Sequence, residues 1–69
     1  MDALPELERA LEDERTSIRL GAAYALHRVG SVEAAAPLFR ALNDTNYLVR
    51  SYAYEALDSM GLLDLVVLT

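Results

Sequence analysis

His27 is the only histidine among 69 residues, and there is no cysteine. Any imidazole base or His-bound metal must therefore be built on His27, and thiolates, disulfides and Cys-ligated metals are excluded. Tyr24 precedes His27 by nearly one helical turn. Two further oxygen-bearing side chains, Glu55 and Asp58, stand 31 residues after Tyr24 and His27 respectively. Such a set binds a cation only weakly, because a structural metal site needs three or four convergent ligands. No glycine-rich phosphate loop, Gly-x-Ser-x-Gly elbow or His-Glu-x-x-His run is present. No catalytic residue, cofactor or metal is expected, and His27 is read as facing solvent or a partner.

A second pattern is charged. Asp13 and Arg19, and again Asp44 and Arg50, are separated by the same six residues. An aspartate in a turn can accept the N–H groups that open the next helix, and it can hold a guanidinium by charge-assisted hydrogen bonds. Each Asp is expected to cap its turn and hold an Arg, within its own unit and between units.

Composition narrows the classes further. The formal charge is −5, and all six basic residues are Arg, scattered among eleven carboxylates. Nucleic-acid binding needs clustered cations to displace counterions from phosphate, so no nucleic acid is expected. No apolar run approaches the ~20 residues of a bilayer span, and the acidic start Met1-Asp2-Ala3-Leu4-Pro5-Glu6 lacks a basic segment followed by an apolar one. A cytoplasmic protein without membrane contact is expected. The hydrophobic share, 54%, belongs to a globular chain, and 69 residues allow a single domain, 1–69.

The elements that must position these side chains emerge when the chain is laid on itself with a shift of 31. Residues 3–30 then match residues 34–61 at 11 of 28 positions, against about three expected by chance. The identities include Leu7/Leu38, Arg9/Arg40, Leu11/Leu42, Asp13/Asp44, Arg19/Arg50, Ala22/Ala53, Leu26/Leu57 and Gly30/Gly61. Each repeat, 3–30 and 34–61, reads as two helices, near 3–13 and 17–29, then 32–43 and 47–60. Asp2, Thr16, Ser31 and Asn46 are the expected N-caps, and Gly30 and Gly61 the stops. Pro5 falls in a first turn, whereas Pro37 is expected to bend its helix. The expected buried positions are Leu4, Leu7, Ala10 and Leu11 with Ala35, Leu38, Ala41 and Leu42 on the first helices. On the second helices they are Ile18, Ala22, Ala25, Leu26 and Val29 with Val49, Ala53, Ala56, Leu57 and Met60, spaced three and four apart.

The run Leu38-Phe39-Arg40-Ala41-Leu42-x-Asp44, then Val49-Arg50, Ala53, Ala56-Leu57 and Gly61, resembles the HEAT-like repeat, specifically the short type named after phycobilisome lyases. The first copy carries the same signature from Leu7 to Gly30. The resemblance implies an all-α fold, with two antiparallel helix pairs stacked as a right-handed solenoid fragment. It also implies a non-enzymatic scaffold with a protein partner. The alternative it offers is an enzyme-associated protein of the bilin-lyase type, acting on a chromophore carried by a partner. A HEAT-like relative holds iron through His-Glu pairs, but Arg28 follows His27 here, so that chemistry does not carry over. Arg15 stands where the family favours an acidic cap, and Tyr52 and Tyr54 stand where it favours alanine.

Second helices line the concave, binding side of helical-repeat stacks. Helical geometry puts Leu20, Tyr24 and His27 opposite the buried stripe of the first such helix, and Ser51, Glu55 and Asp58 at the matching places of the second. These six are the candidate partner-binding residues, with Leu20 and Tyr24 as anchors. The tail 62–69 holds six apolar residues in eight. It reads, in order of preference, as a stub helix capping the second repeat, as a self-association surface, or as a cut end of a longer protein.

Overall fold

A computed structural model describes residues 4–63, and these form four α-helices in two antiparallel pairs. The elements are α1 (Leu4–Ala10), α2 (Thr16–Val29), a 3₁₀ turn (Val32–Ala34), α3 (Ala35–Ala41) and α4 (Tyr47–Ser59). In each repeat the first helix packs on the second, and the repeats meet chiefly through α2 and α4. No described helix is long and apolar enough to cross a membrane.

Local chemistry sets the helix ends. The first helices stop two or three residues short of the expected 13 and 43, because the chain tightens into i→i−3 bonds there, Asp13 N–H to Ala10 O and Asp44 N–H to Ala41 O. The Asn46 side chain accepts from the N–H groups of Leu48 and Val49 and opens α4 as expected. At α2 the expectation was wrong. Arg15 occupies the cap position without a side-chain cap bond, and Thr16 is already helical. Ser31 accepts from Glu33 N–H, while Asp2 lies outside the described residues. Pro37 does not sit inside a continuous helix. The chain runs as a 3₁₀ turn to Ala34 and only then becomes α-helical, so the missing N–H of Pro37 falls in the first turn of α3, where no partner is required.

Gly30 and Gly61 both adopt left-handed backbone, with φ of 67° and 74°. At Gly61 the N–H bonds to Asp58 O and the next N–H, of Leu62, reaches back to Leu57 O. That double closure satisfies the last carbonyls of α4 and turns Leu62 onto the core.

The core is aliphatic: Leu4, Leu11, Leu26, Leu38, Val49, Leu57 and Leu63, with Ala22, Ala23, Ala34, Ala41, Ala53 and Ala56 permitting close helix approach. Two expected members fail. Ile18 is 37% exposed and Val29 is 58% exposed. Ile18 and Val49 are equivalent positions, yet Val49 is fully buried. Val49 lies in the second repeat, whose α4 packs on α2, whereas no described helix packs on the matching side of α2. Ala35, Ala25 and Met60 are half-buried, and Ala34 takes the buried place expected of Ala35. At the tail, Leu62 is half-buried and Leu63 buried; the packing expected of residues 64–69 falls outside the described residues.

Candidate interaction surface

The two Asp-Arg motifs occupy the turns that join the helices of each pair. Both arginines reach back to their own turn through backbone: Arg19 Nη1 donates to Asp13 O and Arg50 Nη1 donates to Asp44 O, each at 2.7 Å. The direct ion pair runs between repeats. Arg19 Nε donates to Asp44 Oδ2 at 2.8 Å, with only 13% and 9% of the two side chains exposed. Asp44 Oδ1 meanwhile accepts from Asn46 N–H. Arg50 therefore does not hold the Asp44 carboxylate, which corrects the expected pairing inside the second repeat.

Asp13 has the same turn geometry and a different guanidinium. Its Oδ1 accepts from Arg15 N–H, and the Arg15 side chain closes on both carboxylate oxygens at 3.0 Å. Arg15 thus occupies on Asp13 the position that Arg19 occupies on Asp44. The hydrogen bonds from the Arg15 side chain, and then from its backbone N–H, hold the Asp13 carboxyl at about 2, below its ordinary 3.8. Because that value is lowered, the contribution of this pair to folding is present above the ordinary carboxylate range and is lost as pH falls through about 2. Arg15→Ala is expected to return the titration midpoint of Asp13 towards 3.8, read from its side-chain carboxyl carbon by NMR. An unmoved midpoint would remove Arg15 as the cause.

The six candidate contact residues do not form a single flat face. Tyr24 is 46% exposed and meets Tyr52 edge to face across the two repeats, with ring centroids 5.5 Å apart at 73°. Glu55 is exposed on the outward side of α4. Helical register puts Leu20 and His27 between them, on the side of α2 that faces α4. Leu20 packs against the core, which corrects its expected role as an exposed anchor, and His27 is half-buried with Nδ1 shielded from solvent and no hydrogen-bond partner. By helical register Tyr24 and Glu55 border the seam between α2 and α4, with Leu20, His27 and Tyr52 between them. Ser51 and Asp58 fall on the far flank of α4. Among the described residues, no group of three or more His, Asp or Glu side chains gathers as metal ligands would.

That far flank bears a groove the motif reading missed, lined by Leu42, Tyr47, Arg50, Ser51 and Tyr54. At about 280 Å³ it is small and open beside ligand pockets of ~300–1,000 Å³, and it suits a protruding side chain better than an enclosed small molecule. The available signal was the departure at Tyr54, where the equivalent residue one repeat earlier is Ala23, fully buried.

A family model of HEAT repeats matches residues 1–64. No curated protein sequence matches the chain.

Proposed function

The chain belongs to the HEAT-repeat family, and from that premise we propose that it is a non-enzymatic module binding another protein through the valley between its second helices. HEAT repeats commonly mediate protein–protein interaction. The observation that supports this valley is the Tyr24–Tyr52 pair. Two aromatic rings are held edge to face across the joint between repeats, and Tyr24 remains nearly half exposed. Such pre-ordered, amphipathic rings contribute contact area with little further loss of rotamer freedom, the usual property of interface anchors. Glu55 on the opposite wall gives the valley an acidic edge and favours a partner segment carrying Lys or Arg.

Photocrosslinking in the source cell tests the reading. A photoreactive residue at Glu55 is expected to capture a discrete partner, and the same residue at exposed Arg9 on α1 is not. Adding Tyr24→Ala should weaken capture about tenfold or more, the loss of a typical aromatic anchor. Equal capture from both positions, or capture indifferent to Tyr24, would remove the valley from the interface. Tight binding of a linear tetrapyrrole by the purified chain would instead favour the bilin-lyase-type reading.

A further inference from the structure

The far flank of α4 is set apart by comparison with the same flank of α2. On α2 it carries Arg19, Leu20, Ala23 and His27, and it is covered by α4: Ala23 is fully buried, Leu20 packs on the core and Arg19 is ion-paired to Asp44. On α4 the equivalents are Arg50, Ser51, Tyr54 and Asp58, and no described helix covers them. Tyr54 is 57% exposed and Asp58 is exposed. Arg50 reaches Asp44 O with Nη1 and lies 5.9 Å from the centre of the Tyr47 ring, and no described carboxylate pairs with it.

Arg50, Tyr54 and Asp58 follow one another at intervals of four, so they form a single row with a cation at one end, an aromatic ring in the middle and an anion at the other. Their ends lie about 12 Å apart, at 1.5 Å per residue. A row of that kind is complementary to itself when inverted. Two α4 helices crossing antiparallel at Tyr54 bring each Arg50 opposite the other copy's Asp58 and cover both Tyr54 rings at the centre, the self-matching geometry a two-fold interface requires. We propose that this flank joins two copies of the chain into a symmetric dimer, with reciprocal Arg50–Asp58 pairs on either side of a Tyr54–Tyr54 contact. This inference does not rest on the valley reading, since its central residues, Arg50 and Tyr54, lie outside that surface.

Sedimentation velocity on the whole chain, from low micromolar to submillimolar concentration, is the test. A concentration-dependent dimer is expected. Asp58→Arg, which alters no internal hydrogen bond seen here, should raise the dissociation constant about a hundredfold by facing two cations at each end of the row. Arg50→Glu alone should likewise give monomer, and an equimolar mixture of the two variants should form the heterodimer, because every facing pair is then opposite in sign. Should Arg50→Glu fail to fold, for it also loses the bond to Asp44 O, Tyr54→Glu takes its place and is expected to give monomer by placing two carboxylates at the centre. Tyr24→Ala, on the valley wall, should leave the dimer intact while weakening capture from position 55 in the cell. A parent chain that stays monomeric throughout, or a dimer indifferent to Asp58→Arg and Tyr54→Glu, overturns the proposal.

Discussion

Leu57→Ala is expected to unfold a large fraction of the molecules at 37 °C. Leu57 is fully buried on α4, and α4 packs against both α2 and α3. Truncating such a leucine removes its transfer free energy and leaves a cavity that its neighbours fill only in part, a cost of about 2–5 kcal/mol. Ala53 and Ala56 on the same helix have no side-chain length with which to close that gap. For a domain of this size the same loss lowers Tm by roughly 10–30 °C. Leu26, its equivalent in the first repeat, is also fully buried and is expected to behave alike. Thermal unfolding followed by circular dichroism measures both. A shift of only a couple of degrees would mean that the α2–α4 seam is not the centre of the fold.

The second large effect is expected at the joint between repeats. Asp44→Ala removes the acceptor of Arg19 Nε and of Asn46 N–H together, and leaves the Arg19 side chain, only 13% exposed in the parent fold, without its counter-ion. Breaking a mostly buried pair from one side costs about 2–4 kcal/mol, most of it the desolvation of the charge left behind. Arg19→Ala should cost a comparable amount: Asn46 N–H keeps its acceptor, but the Asp44 carboxylate loses its counter-ion and Asp13 O loses its donor. In a double-mutant cycle by urea unfolding, Asp44 and Arg19 should couple by about 1 kcal/mol or more. Asp44 and Arg50 should be close to additive, because Arg50 binds the main-chain oxygen of residue 44, which alanine retains. The opposite ranking of the two couplings would place the ion pair inside the second repeat.

The valley and the Asp44 joint depend on the same seam, because α2 and α4 carry both. Weakening the Arg19–Asp44 tie is therefore expected to disturb the Tyr24–Tyr52 contact as well as stability, while Arg15→Ala at the far turn leaves that contact in place.

Much of this architecture was legible before any coordinates. The 31-residue identity, the three-and-four spacing of Leu26 and Leu57 with their alanines, and the glycines at 30 and 61 determine helix pairs, their number and their stops. They do so because helical periodicity and left-handed backbone are local properties, set by each residue and its near neighbours. Asn46 as a cap was readable for the same reason. Local pattern could not tell which side of a helix meets which neighbour. Ile18 and Val49 occupy one place in the repeat, yet one is exposed and the other buried, because burial depends on whether another helix arrives. Leu20 looked like a surface anchor by its angle from the stripe and is instead drawn against the core by α4. The choice of guanidinium was likewise settled in three dimensions. Asp13 and Asp44 both have an arginine six residues on, but Asp13 is closed by Arg15 and Asp44 by Arg19 from the preceding repeat, because an ion pair forms where stacking brings charges within reach and excludes water from them.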